Sequence, residues 1–309
     1  MTRAPSTFTC TVTPFDAAGR LDLEAWRSHL VRLAASGMGV YVGSSSPGEG
    51  YTLDADETEA LYGAAVDAVG ADVSVRAMGV ETHTALDYLE LVRIAEATGM
   101  QAMQLYCVDS GHANIPTERE LECYFRTILD GSTIDCVVSS HIYNGYVVPL
   151  PVLDRLLVDY GDRIRGINVT NPDVRYVSAL VDVVDDRCDV HVGGPMQALT
   201  ILALGGQGFL STDGNIIPAT CVDVVRSHAN GDLRASQAAF RDVLRFFSAN
   251  RWPGGSMRYL KTVMRVLGLP GHHLRPPFLE LGDDECSEVE AILGALDIDE
   301  LSGLRGAGE

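Results

Sequence analysis

Lysine is all but missing from this chain. Of its 23 basic residues one is lysine, Lys261, and the rest are arginine. Chemistry that needs a side-chain amine as nucleophile therefore has a single candidate. Basic residues of both kinds are scarce against 42 acidic ones, and the formal net charge of −19 repels phosphate backbones and anionic bilayers. The expected partner is a small molecule, with no nucleic acid and no membrane. No apolar run reaches the roughly 20 residues that a bilayer span requires. The seven cysteines are an odd number with no CxxC pair, and no basic-then-apolar leader opens the chain, a pattern that reads as a reduced, cytoplasmic protein. HExxH spacing is absent, so no zinc site is signalled.

What is present is alternation. Short apolar, β-branched runs fall at Phe8–Thr13, Met38–Gly43, Val73–Met78, Gln101–Cys107, Ile134–Ser140, Ile164–Val169, Asp189–Gly193 and Gly208–Ser211. Between them lie amphipathic stretches that open at a capping residue or a first-turn proline: Asp22–Ala35, Asp54–Val69, Thr82–Thr98, Thr117–Leu129, Pro149–Tyr160, Asp173–Val184, Pro195–Leu204 and Pro218–Ala229. Eight such units predict an α/β fold, a TIM (β/α)8 barrel over residues 1–230. From 231 to 309 the pattern turns helical, with Leu233–Ala249, Met257–Leu267 and Asp284–Leu301 forming a C-terminal appendage packed on the barrel. The terminal "LRGAGE" is expected to fray.

In a barrel of this kind the chemistry gathers on the loops that follow the strands. "GSSSPGEG" (Gly43 to Gly50) supplies hydroxyls and backbone N–H groups suited to a carboxylate or other small anion, and Glu49 within it reads as a base or a structural cap. "SSHIYNGY" brings Ser140, His141 and Tyr143 to the barrel mouth as proton carriers. Only one of Ser140 and His141 can face the interior, because neighbouring strand residues point to opposite faces. Tyr106, at the end of the fourth run, is a proton relay or an aromatic lid.

The ordered motifs "TPFD…GRLDLEAWRSHLVRLAASGMGVYVGSS", "GEGYTLDADE", "ALTILALGGQGFLSTDGNIIP" and "KTVMRVLGLPGHHLRPPFLEL" resemble the dihydrodipicolinate synthase and N-acetylneuraminate lyase superfamily over most of the chain. That resemblance implies a lysine at the end of the sixth strand that forms a Schiff base with a 2-oxo acid, a tyrosine from the fifth that moves protons, and second-strand hydroxyls that hold the carboxylate. Carried over by position, Ser44 and Ser45 hold the carboxylate, with Gly48 and Glu49 completing that motif; Thr170, Gly193 and Ser211, at the ends of the last three strand runs, are further substrate-binding candidates. The lysine does not carry over. The family's Gly-Ile-Lys is Gly166-Ile167-Asn168 here, and an amide nitrogen, delocalised into its carbonyl, is no nucleophile. An ungapped count puts Ser140 in the tyrosine's place, and Tyr143 is the alternative.

The expectation that follows is a lyase or aldolase-like enzyme acting on a 2-oxo acid or related carboxylate without an imine, its carbonyl or enolate oxygen held by hydrogen bonds from Asn168 with His141 or Ser140. No organic cofactor is expected. A divalent metal is the alternative electron sink, with Asp109, His112, Glu49 and His141 as its candidate ligands. The competing reading is a non-catalytic oxo-acid-binding or regulatory descendant. By resemblance the assembly is a homo-oligomer, a tetramer or a dimer.

Overall fold

The computed structural model describes residues 3–306. Eight parallel strands close into a barrel in chain order: β1 (Ser6–Cys10), β2 (Gly39–Val42), β3 (Val75–Ala77), β4 (Met103–Leu105), β5 (Cys136–His141), β6 (Ile164–Thr170), β7 (Asp189–Gly193) and β8 (Gly208–Ser211). Closure pairs Phe8 with Leu210 across β1 and β8, so no strand edge remains unpaired. Each strand sits within the run that the sequence marks or one to two residues from its ends. β2, β5 and β8 are buried along their whole length, as strands covered on both faces must be.

Helices α1 (Leu23–Ala35), α2 (Ala55–Val69), α3 (Ala85–Ala97), α4 (Glu118–Asp130), α5 (Leu150–Tyr160), α6 (Val174–Val184), α7 (Ala198–Ala203) and α8 (Pro218–Ala229) form the outer layer. Their starts follow local chemistry. Asp54 and Glu57 close a capping box at α2, Thr117 and Glu120 another at α4, and Pro218 opens α8, where its missing N–H has no helical partner to lose. Side chains that point outward from the strands, among them Val40, Val42, Leu105, Ile167, Val169 and Phe209, pack under these helices as the core.

Beyond the barrel come α9 (Leu233–Ser248), α10 (Gly255–Val266), α11 (Asp283–Ala295) and α12 (Asp299–Gly306). The single helix expected over Asp284–Leu301 is two, because Asp297 turns left-handed at φ 51° and breaks the ladder. Of the tail expected to fray, 304–306 continue α12 and 307–309 lie outside the described residues.

Candidate active site at the barrel mouth

Strand parity decides which side chains reach the lumen. On β6 the paired rows are Ser139–Asn168–His191 and His141–Thr170, so Asn168, Thr170 and His141 share the inner face. Ser140 faces outward. Its Oγ lies 3.1 Å from the Tyr176 hydroxyl on α6 and accepts the Val148 N–H at 3.1 Å, contacts of the helix layer. The expectation that Ser140 holds the proton-shuttling place is therefore corrected: the inward residue at the end of β5 is His141.

Asn168 is buried, and its amide nitrogen donates to the Tyr41 hydroxyl at 3.2 Å and to Gln104 Oε1. Both of its N–H groups are committed inside the barrel, while Oδ1 is buried with no hydrogen-bond partner among the described residues. Oriented so, the amide offers the mouth an acceptor. The expectation of a donor to a carbonyl oxygen is corrected accordingly. Beneath it lies a cation: Arg76 donates to the same Tyr41 hydroxyl at 3.1 Å, and its guanidinium sits 4.3 Å from the Phe8 ring centre. His191, on the paired row, has its Nε2 2.9 Å from Ser6 Oγ, and burial and then the Arg76 charge pull it down to about 3.

His141 is 3% exposed, and neither ring nitrogen makes a hydrogen bond among the described residues. Its Nε2 is 3.5 Å from Glu81 Oε1, an ionic approach too long for a strong hydrogen bond. Burial draws the imidazole below its ordinary value, and the Glu81 carboxylate opposes that. Tyr106 meets the ring edge-on, with centroids 5.3 Å apart, and Tyr143 lies 5.5 Å away, exposed at the rim. Burial, with Glu81 adding to it, holds the Tyr106 hydroxyl well above its usual range, so it remains a proton-bearing donor at any physiological pH.

Glu81 is a mouth residue that the sequence reading did not single out. It follows β3 in the loop that reads "MGVETHT", and its carboxylate bridges two neighbours: Oε2 accepts from Ser45 Oγ after β2, and Oε1 faces His141 at the end of β5. Its place in the loop that follows β3 was the available signal. A carboxylate, an imidazole and two phenols in one mouth are an acid–base set.

The second-strand loop is bonded differently from expectation. Ser44 Oγ accepts the Gly48 N–H at 3.2 Å, and the Ser44 carbonyl accepts the Gly50 N–H at 2.9 Å. Gly48 has no alternative, since an added Cβ would stand 2.8 Å from the Ser44 carbonyl oxygen. Glu49 turns away from the lumen. Fully buried, it pairs with Lys261 Nζ at 2.5 Å and accepts the Arg275 N–H at 3.1 Å, while Lys261 also donates to the His273 carbonyl. Glu49 is thus corrected from substrate ligand to anchor of α10. Burial pulls Lys261 down to about 8, against the raising pull of Glu49.

Ser211 is corrected as well. Its hydroxyl donates to Asp213 Oδ2 at 2.5 Å, and burial lifts the Asp213 carboxyl to about 6. Gly193 lies against Thr170 Oγ1 so closely that any side chain there would displace it. The expected metal ligands are not gathered: Glu49 is tied to Lys261, and His112 is exposed on its loop. Among the described residues, the metal-capable side chains that converge within 4.8 Å are His272, His273 and Glu280, on the connector after α10.

Barrel and appendage define a protein of the (β/α)8 class with a C-terminal helical region. Residues 4–296 match the model of the dihydrodipicolinate synthetase family, and the chain belongs to that family. It is 27% identical over 301 residues to the 4-hydroxy-tetrahydrodipicolinate synthase of Haloarcula marismortui, covering 95% of this chain and 94% of that one. With the enzyme of the same name from Methanococcus vannielii it shares 28% over 290 residues, 92% and 96% of the two chains. Among solved structures, the YagE prophage protein of E. coli K12, described in complex with pyruvate, superposes with a TM-score of 0.87 at 21% identity over 94% of this chain and 98% of that one. A monomeric dihydrodipicolinate synthase variant superposes at 0.86, with 22% identity and 97% of each chain covered. At such identity these structures establish the fold alone.

Proposed function

We propose that this protein makes or breaks a bond beside a carbonyl group by acid–base catalysis without forming an imine. The observation that carries the reading is a buried imidazole, His141, with neither ring nitrogen hydrogen-bonded among the described residues and a carboxylate 3.5 Å away, on the same inner face as the Oδ1 of Asn168, which also has no partner among them. Buried polar atoms without partners cost roughly 1–3 kcal/mol each, so a ligand whose polar groups meet these atoms gains hydrogen bonds that the side chains around them leave open.

Written in the retro-aldol direction, His141 takes the proton of the substrate's hydroxyl and the adjoining carbon–carbon bond breaks. Its electron pair moves onto the carbonyl as an enolate. Glu81 stabilises the imidazolium, Tyr106 donates to the enolate oxygen, and Arg76 adds positive potential from within the barrel. The imidazolium then returns its proton to carbon. Asn168 Oδ1 accepts a hydrogen bond from the substrate and orients it. Lys261 takes no part, because Glu49 and the His273 carbonyl hold its amine outside the lumen. The resemblance alone points to a 2-oxo acid or related carboxylate as substrate.

The test is the pH–rate profile of wild type and His141→Ala on a panel of small oxo compounds. Loss of a positioned acid–base group lowers kcat by about 10²–10⁴-fold with the fold retained. The acid limb of the wild-type profile falls below the ordinary imidazole value, and Glu81→Gln moves it lower still by removing the carboxylate that raises His141. An unchanged rate in His141→Ala would remove the proposal. A non-catalytic carbonyl-binding protein is the second reading. It is favoured by the structural use of Ser140, Ser211 and Glu49, and it expects binding with no turnover. The working form is taken to be a homo-oligomer, dimer or tetramer, in the cytoplasm; seven free cysteines agree with a reducing compartment.

A further inference from the structure

We propose that Glu81 fills the anion place of the Ser44–Ser45 loop and so selects a neutral carbonyl substrate, a small hydroxylated aldehyde or ketone, over a 2-oxo carboxylate. The inference rests on the barrel mouth being the site and concerns which ligand it admits.

The loop after β2 has the composition of an anion cradle, yet three of its donors are engaged within the chain. The Gly48 N–H goes to Ser44 Oγ, the Gly50 N–H to the Ser44 carbonyl, and the Ser45 hydroxyl to Glu81 Oε2. At the Ser45 hydroxyl the negative charge is supplied by the protein itself. Around Glu81 stand His141, Tyr106 and Cys107, all buried, with no arginine or lysine in ion-pair contact with it among the described residues. Arg76, the cation inside the barrel, is engaged by the Tyr41 hydroxyl and the Phe8 face.

A substrate carboxylate at Ser45 would have to displace Glu81 from its hydroxyl and remain beside it. Two carboxylates sharing one donor in a partly dry site repel, and no arginine or lysine pairs with Glu81 to compensate them among the described residues. A neutral carbonyl compound meets no such opposition. It can receive the Tyr106 proton donor and give a hydroxyl proton to Asn168 Oδ1 or His141. A hydroxylated ligand thus matches the unpaired atoms of this mouth in both hydrogen-bond sense and charge.

Two probes of similar size separate charge from shape: pyruvate, an anion, and hydroxyacetone, which is neutral. Their affinities are measured by ligand-observed NMR titration for wild type, Glu81→Gln and Ser45→Ala. Wild type is expected to prefer hydroxyacetone. Glu81→Gln should raise the affinity for pyruvate relative to hydroxyacetone by about tenfold or more, since juxtaposed like charges are strongly disfavoured. Ser45→Ala keeps the Glu81 charge and should still exclude pyruvate, a result that a purely structural role for Glu81 does not give. Preference of wild type for pyruvate, an unchanged ratio in Glu81→Gln, or no pyruvate binding by that variant overturns the inference. Turnover is not the readout. A shifted ratio with no catalysis removes the proposed function and leaves this inference standing, whereas catalysis with an unshifted ratio does the reverse.

Discussion

Asn168 shows how one side chain redirects a mouth. It sits inside the barrel at the row of Ser139 and His191, and where the resemblance expects an amine it presents an unpaired oxygen. Restoring the amine is informative. A lysine at 168 would lie on the face of the lumen that carries Arg76 and His191, where burial and a nearby cation favour the neutral, nucleophilic form. Asn168→Lys is expected to give an adduct with hydroxyacetone or pyruvate that borohydride traps, seen as a mass increase on the intact protein, whereas wild type gives none. No adduct with either would mean that position 168 does not meet the substrate carbonyl. At this scale the sequence told a good deal: the asparagine at 168 and the mutual exclusion of Ser140 and His141 could both be read directly. It could not say which of the two faces inward, because β5 runs through His141, one residue past the expected strand end.

Elements were more legible than the contacts that join them. Polar caps and first-turn prolines mark most helix starts within a residue, whereas the break at Asp297 carries no comparable signal, since aspartate adopts left-handed backbone only where context asks for it. The Glu49–Lys261 pair, 212 residues apart in sequence, was not legible at all. It ties the loop after β2 to α10 with both side chains at most 1% exposed. Removing one partner leaves a buried charge unpaired, so Glu49→Gln or Lys261→Met should each cost about 3–5 kcal/mol in denaturant unfolding. The double variant Glu49→Leu/Lys261→Met should recover most of that loss. Additive losses in the double variant would show that the two charges stabilise independently of one another. Arg275 extends the junction by pairing with Glu57 on α2 while its guanidinium covers the Phe15 ring.

At the scale of the whole molecule, the buried histidines are neutral, both His191 inside the barrel and His29 on α1 within the helical layer. His29 and His191 are each drawn down to about 3, chiefly by burial. Between about pH 6.5 and 3 the unfolded chain binds a proton at each that the native chain refuses, so stability falls as pH falls, by ~1.4 kcal/mol per unit for each group. Asp213, raised to about 6, has the opposite sign: from about 6 down to its ordinary value of 3.8 the native chain holds a proton that the unfolded chain lacks, which offsets one histidine. A net loss remains, and the urea midpoint should drop between pH 7 and 5. His191→Gln should flatten that slope; an equally steep slope in the variant would assign the loss to other groups. No helix among the described residues is long and apolar enough to cross a membrane, in keeping with the strongly acidic composition.

The central claim is that His141 moves a proton at a carbon beside a carbonyl without help from a lysine. Its most direct test follows loss of the α-proton signals of small oxo compounds, neutral and anionic, by proton NMR in D2O. The account predicts exchange above a denatured-protein control for at least one neutral compound, and its loss in His141→Ala. Line broadening from binding with no exchange for any compound, or exchange as fast in His141→Ala as in wild type, would contradict it.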